Sequence, residues 1–118
     1  MAKILIVDDS TELLELFSML LSSKGNHVRT ATTIKGAEEQ LAWMVPDVVL
    51  LDVMLKNEDG RVLSYKISMD YNIPVILISG DSTLLENHSR YGASAILEKP
   101  FDIDKVNKIT GLDITFVT

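Results

Sequence analysis

Three short, nearly uninterrupted runs of apolar residues constrain the fold of this chain more than any other feature. They are ILIV at 4–7, DVVLLDV at 47–53 and IPVILISG at 73–80, and they are rich in valine, isoleucine and leucine. Runs of this length and composition are typical of strands that are buried on both faces of a parallel sheet. Because both faces of such a sheet must be shielded from water, the chain is expected to supply a layer of helices on each side.

Segments with helical spacing alternate with these runs. The predicted helices lie at 10–25, 33–44, 59–71, 82–92 and 102–110, and two weaker strands are predicted in HVRTA (27–31) and SAILEKP (94–100). Ser10 or Thr11 can cap the first helix, and Gly25, Gly92 and Gly111 can each end one. The strand–helix unit therefore occurs five times. This pattern predicts one α/β domain over residues 1–118, with a parallel sheet and right-handed crossovers.

Composition restricts the classes of function. The 118 residues fit one compact domain, and the absence of cysteine excludes disulfides and thiolate metal sites. The net charge of −6 argues against direct binding of nucleic acid. No apolar run approaches the roughly 18 residues of a membrane span, and Asp8 ends the N-terminal apolar run too early for a signal peptide. We therefore expect a soluble cytoplasmic domain that does not insert into membranes.

Charged and polar residues stand where the predicted strands end. Asp8 and Asp9 follow the first strand, Asp52 ends the third, Ser79 lies at the end of the fourth, and Lys99 follows the fifth. Each residue alone would fit a turn or a helix cap. Together they are expected to meet, because the carboxyl ends of parallel strands share one edge of the sheet and form its ligand-binding crevice.

The chemistry of this predicted cluster favours a hard cation and a phosphoryl group. Three neighbouring carboxylates repel one another, and a bound cation relieves that repulsion. Oxygen ligands without nearby histidine or cysteine disfavour zinc and favour Mg²⁺, which completes its coordination with water and phosphate oxygens. Lysine is a point charge suited to phosphate, and a carboxylate can act as the nucleophile in phosphoryl transfer.

Four fragments of the chain carry a family resemblance. ILIVDDS, VVLLDVMLKNEDG, VILISG and GASAILEKPF, in this order and spacing, resemble the receiver domain of two-component response regulators, in particular the single-domain chemotaxis-type receivers. The resemblance covers the whole chain. It implies a flavodoxin-like three-layer (βα)5 sandwich whose five parallel strands have the order 2-1-3-4-5.

The resemblance also implies roles for individual residues. Asp52 would accept a phosphoryl group from a histidine kinase or a phosphotransfer protein. Asp8, Asp9, Asp52 and the backbone carbonyl of Met54 would hold Mg²⁺. The domain would then catalyse only its own phosphorylation and dephosphorylation. Its output would be the control of a downstream protein or the onward relay of the phosphoryl group.

The remaining implied roles concern the bound phosphoryl group. Ser79 would supply the hydroxyl that moves to it, Lys99 would bind it, and the Lys99–Pro100 peptide bond would be cis. Many receivers carry an aromatic residue three positions before this lysine, where this chain has Ile96. We therefore expect the conformational change to reside in the 79–85 loop rather than in a rotation at residue 96.

The chain departs from most receiver domains at a second position. Lys56 stands where receivers usually have proline, four residues after Asp52, and its charge bears on phosphate lifetime or kinase docking.

Two other functions remain open from the sequence. An aspartate-nucleophile phosphatase would also use Mg²⁺, but it typically needs a D-x-D pair and a cap region. A receiver-like module that is never phosphorylated is the third possibility, and the intact acids, Ser79 and Lys99 argue against it.

Overall fold

Five parallel strands form one sheet in the computed structural model, which describes residues 2–23, 25–100 and 104. The strands are β1 (Lys3–Val7), β2 (His27–Ala31), β3 (Val48–Asp52), β4 (Val75–Ser79) and β5 (Ala95–Glu98). Their order is β2-β1-β3-β4-β5, and every neighbouring pair is parallel. The predicted order 2-1-3-4-5 is therefore confirmed. A separate two-residue antiparallel ladder joins Met54–Leu55 to Glu58–Asp59.

Three α-helices connect these strands within the described residues, and each is started by a capping side chain. They are α1 (Thr11–Ser22), α2 (Ile34–Trp43) and α3 (Gly60–Asp70). Their N-caps accept hydrogen bonds from backbone N–H groups of the first turn and are Ser10, Thr33 and Asp59. Such side chains pair N–H groups that have no partner within the helix. None of the described helices has the length and apolar character of a membrane-spanning segment.

Alternate side chains of the central strands point into two separate cores. Ile4 and Ile6 of β1 pack with buried residues of α1, whereas Leu5 and Val7 belong to the core that contains buried residues of α2 and α3. All residues of β3 and β4 are buried. This double coverage explains why their sequences are continuously apolar, since each fully buried leucine or isoleucine contributes about 1.5–3 kcal/mol.

The segment between β4 and β5 differs from its prediction. The single helix expected over 82–92 is instead two 3₁₀ turns, Ser82–Leu85 and His88–Tyr91. Asn87 separates them in a left-handed conformation, with φ of 57°, which no continuous right-handed helix accommodates. The predicted end at Gly92 is confirmed, with φ of 74°. The predicted helix over 102–110 and its end at Gly111 lie outside the described residues, apart from residue 104.

A seam of small residues attaches this irregular segment to α3. The Ser64 hydroxyl is buried and donates a hydrogen bond of 2.7 Å to the carbonyl oxygen of Tyr91. A Cβ at Gly92 would collide with the side chain of Ser68. Close approach at this seam therefore requires glycine at position 92, and the bond from Ser64 helps to fix the chain that leads into β5.

Candidate functional site

The carboxyl edge of the sheet brings the predicted polar residues together. Asp8 follows β1, Asp52 ends β3, Ser79 ends β4 and Lys99 follows β5. The first three residues are almost completely buried: Asp8 is 1%, Asp52 4% and Ser79 1% exposed. Asp9 is exposed at the same edge. Buried polar side chains are normally paired, so the bonds made by this group reveal its chemistry.

Lys99 joins the first and third strands by bridging two acids. Its Nζ donates hydrogen bonds of 2.8 Å to Asp8 Oδ2 and 2.8 Å to Asp52 Oδ2. Its backbone N–H donates to the carbonyl oxygen of Ser79 at 2.9 Å, which extends the β4–β5 ladder by one bond. The Lys99–Pro100 peptide bond is cis, as predicted. The lysine is therefore held both by the sheet and by the two acids that it bridges.

Three carboxylates form a cluster of the size that holds one metal ion. One oxygen from each of Asp8, Asp9 and Asp52 lies within 4.8 Å of the other two. Within the described part of the chain, no other group of three His, Cys, Asp or Glu side chains has this spacing. A single lysine balances one of three negative charges, so the site retains an excess that a hard divalent cation would offset. The all-oxygen donor set fits Mg²⁺.

The pKa values of Asp52 and Lys99 reflect the same excess of negative charge at the site. Burial raises the pKa of Asp52 most strongly, the hydrogen bond from Lys99 lowers it, and the charge of Asp8 raises it again. Burial alone would lower the pKa of Lys99, but the hydrogen bonds to Asp52 and Asp8 and the negative charges of these two acids together outweigh burial and raise that pKa. One cation thus remains firmly charged between two acids, and it cannot fully compensate both.

Each buried side chain of the site also fastens the loop that follows it. Asp8 Oδ1 accepts the N–H of Ser10 at 2.8 Å, and Asp52 Oδ1 accepts the N–H of Met54 at 3.0 Å. Ser79 Oγ accepts the N–H of the residue two positions on, Asp81, at 3.0 Å. These are the local turns that Asp and Ser form with their own backbone. These turns were not predicted from the sequence, although the residue types are a recognisable signal.

The loop after Asp52 packs closely against its own strand. Gly60 donates its N–H to the carbonyl oxygen of Val53 at 2.7 Å. A Cβ at Gly60 would collide with the carbonyl oxygen of Asp52. The side chain of Glu58 reaches α2, where it accepts the N–H of Ile34 at 3.1 Å. Sequence reasoning missed this contact, because 24 residues separate its partners and no local pattern marks it.

Ile96 lies away from this edge, in the middle of β5. The residue is 39% exposed, whereas its neighbour Leu97 is buried in the core shared with α1. Residue 96 therefore faces outward in the state described here. The expectation that this position rotates little on activation stays a prediction.

A family model described as the response regulator receiver domain matches residues 4–110. The transcriptional regulatory protein KdpE of Staphylococcus aureus is 32% identical over 108 residues, which are 89% of this chain and 46% of KdpE. The chain spans about half or less of the length of the curated relatives it matches. Its likeness to these regulators is therefore confined to one part of each.

Solved structures of separate receiver domains match over nearly their full length. The receiver domain of NtrX from Brucella abortus is 31% identical, covers 92% of this chain and 94% of its own, and superposes with a TM-score of 0.83. The BeF3-activated N-terminal receiver domain of RstA from Klebsiella pneumoniae is 26% identical, with coverages of 95% and 97% and a TM-score of 0.84. With its matching family model, sheet order and acid–lysine edge, the chain belongs to the response regulator receiver domains, the phosphoacceptor switches of two-component signalling.

Proposed function

We propose that Asp52 is the phosphoacceptor of one receiver domain spanning residues 1–118, and that a histidine kinase or a phosphotransfer protein supplies the phosphoryl group. The observation that carries this proposal is the shared lysine: Lys99 Nζ lies 2.8 Å from both Asp8 and Asp52. A buried carboxylate beside a fixed cation and two further acids has the surroundings that phosphoryl transfer to an aspartate requires.

Mg²⁺ fits the acids of this edge. Asp8, Asp9, Asp52 and the backbone carbonyl of Met54 would hold it, which leaves coordination positions for water and phosphate oxygens. When bound, the ion offsets the negative charge that develops on the transferring group. The spacing of the three carboxylates supports this assignment.

Covalent chemistry takes place on Asp52 itself. A carboxylate oxygen of Asp52 forms a bond to phosphorus as the bond from phosphorus to the donor nitrogen of the kinase histidine breaks. Lys99 remains protonated, because its pKa is raised, and its ammonium then faces the added phosphoryl oxygens. Attack of water on the phosphorus of the acyl phosphate breaks its bond to the Asp52 oxygen, which releases inorganic phosphate and restores the carboxylate. The domain thus acts on its own side chain and is not an enzyme for a separate substrate.

The signalling output of the domain would depend on movement of the Ser79 hydroxyl. In the structure described here, Ser79 Oγ accepts the N–H of Asp81. A turn of this hydroxyl toward a phosphoryl oxygen exchanges a neutral hydrogen bond for a stronger charge-assisted one and releases that N–H. The surface of the 79–85 loop would then change and control a downstream protein, or the phosphoryl group would be relayed onward.

The surroundings of the protein are also part of this proposal. We place the domain in the cytoplasm, where a kinase of the same signalling system meets it. Its net charge of −6 disfavours direct contact with nucleic acid. We propose that it acts through protein partners without inserting into a membrane.

Mass spectrometry after treatment with acetyl phosphate and Mg²⁺ tests the assignment of Asp52. The unmodified chain should gain one phosphoryl group, and Asp52→Asn should gain none, because an amide cannot form the acyl phosphate. Asp70→Asn, at the exposed end of α3, is the matched control and should be labelled like the unmodified chain. Equal labelling of Asp52→Asn would place the phosphoacceptor elsewhere.

A further inference from the structure

One side chain ties the loop after Asp52 to a helix that carries none of the proposed site residues. Glu58 Oε1 accepts the N–H of Ile34 at 3.1 Å, and Ile34 is the first residue of α2. The N–H groups of a first helical turn lack partners within the helix and attract negative charge. The contact is therefore favourable in both hydrogen bonding and electrostatics, and it joins two elements that are distant in sequence.

Glu58 belongs to the strand that pairs with Met54–Leu55. In this ladder, Leu55 lies opposite Glu58 and Met54 lies opposite Asp59. Asn57 closes the hairpin with φ of 61°, in the left-handed region. Leu55 is buried in the core that also contains residues of α2. A displacement of Glu58 is therefore transmitted to the strand carrying Met54 through the paired backbone.

The inner end of the same loop is fixed at the site. Met54 donates its N–H to Asp52 Oδ1 at 3.0 Å, and Gly60 donates its N–H to the carbonyl oxygen of Val53 at 2.7 Å. Met54 thus lies between an inner attachment at Asp52 and an outer attachment at Glu58. Its side chain is exposed, so packing of that side chain does little to hold the backbone in place.

We propose that Glu58 is a positioning residue, which fixes the hairpin against α2 and thereby holds the Met54 backbone carbonyl where the cation binds. This inference rests on the proposed function, in which that carbonyl is a ligand. Glu58 itself is not one of the three clustered acids, so it acts through the hairpin rather than by contact with the metal. Partners that orient a ligating group commonly change metal affinity by roughly 10–100-fold when removed.

Isothermal titration of the metal-free protein with MgCl₂ tests this role. Glu58→Ala should weaken Mg²⁺ binding by roughly tenfold, at the low end of that range because one of several attachments is lost. Glu58→Gln should bind nearly as well as the unmodified chain, since its amide oxygen still accepts the Ile34 N–H. If Glu58→Gln binds as weakly as Glu58→Ala, the charge matters and the hydrogen bond does not, and the proposal fails.

Thr33→Ala is the matched control for the stability of α2. It removes the bond of 2.9 Å from the Gly36 N–H to Thr33 Oγ1, at the same helix end, without touching the hairpin. Thermal midpoints of the metal-free variants should fall for both Thr33→Ala and Glu58→Ala, whereas Mg²⁺ affinity should fall for Glu58→Ala alone. An equal loss of affinity in Thr33→Ala would reduce Glu58 to a helix cap and overturn the proposal.

Asp9→Asn separates this inference from the proposed function. Weak binding by Asp9→Asn together with normal binding by Glu58→Ala would overturn the role of Glu58 and leave the metal site intact. Equal binding by Asp9→Asn and the unmodified chain would show that the cation lies elsewhere, and the role of Glu58 would fall with the site.

Discussion

Replacement of Gly60 by alanine should damage both the fold and the site, because α3 begins directly against the backbone of β3. The added Cβ would collide with the carbonyl oxygen of Asp52, inside the 3.0 Å that real Cβ atoms essentially never cross. It would also lie 3.1 Å from the Asp52 carbonyl carbon and 3.3 Å from Leu51 Cδ1. Two of these neighbours are backbone atoms of a central strand, so no side-chain rotation relieves the overlap.

The cost follows from what has to move. Overpacking of a core typically costs about 1–3 kcal/mol, and a clash with a central strand belongs at the upper end, near 3 kcal/mol. Alanine returns less than about 1 kcal/mol through its better helix propensity. We therefore expect Gly60→Ala to lose about 2–3 kcal/mol of unfolding free energy. With a urea dependence of about 1–3 kcal/mol per molar, the unfolding midpoint should fall by roughly 0.7–3 M.

Urea unfolding followed by circular dichroism in metal-free buffer measures this loss. Gly80→Ala is the control, since an added Cβ there meets nothing within 4 Å and should leave the midpoint nearly unchanged. Labelling with acetyl phosphate should slow as well, because a displacement of about 1 Å at a reacting group can cost roughly 10²-fold in rate. Identical midpoints for the two variants, with labelling at the normal rate, would refute the close approach of α3 to Asp52.

Two further predictions concern charge and output. Asp52→Asn should raise the thermal midpoint of the metal-free protein at neutral pH, because burial raises the pKa of Asp52 above its ordinary value of 3.8 and the ionised form is therefore disfavoured in the fold. The stability associated with protonated Asp52 is fully present below pH 3.8 and is lost as pH rises through the pKa of Asp52 in the folded state. The gain in thermal midpoint from Asp52→Asn should therefore shrink as pH falls toward 3.8. A lower midpoint for Asp52→Asn than for the unmodified chain at neutral pH would contradict this direction. Beryllofluoride should shift the backbone amide resonances of residues 79–85, and Ser79→Ala should lose most of these shifts while Ile96→Val keeps them. The opposite pattern in the two variants would mean that residue 96 carries the change.

The residues of the site were predictable because their positions follow from the fold. Continuous apolar runs identify the buried strands, and parallel strands place their carboxyl ends at one edge, so Asp8, Asp52, Ser79 and Lys99 had to meet there. Their individual bonds were not predictable. Lys99 bridges two acids because of side-chain geometry, and the spacing of residues in the sequence does not encode that geometry.

Two other features show where a linear pattern ceases to be informative. The apolar residues of 82–92 have helical spacing, yet Asn87 adopts a left-handed conformation and divides the segment. Asparagine tolerates this conformation without requiring it, so its presence alone did not decide between one helix and two turns. Glu58 sits in NEDG, which reads as a turn, and its partner Ile34 becomes visible only when α2 is packed beside the loop.

The attachment of Lys99 to β5 has a consequence for how the site fluctuates. β5 is a four-residue strand at the edge of the described sheet, bonded to β4 alone. Edge segments with few partners are where native proteins open locally without global unfolding. Each such opening would withdraw the lysine and leave Asp8 and Asp52 facing each other without their cation. The acids therefore oppose fraying of this edge, and amide hydrogen exchange along β5 should quicken when they are neutralised.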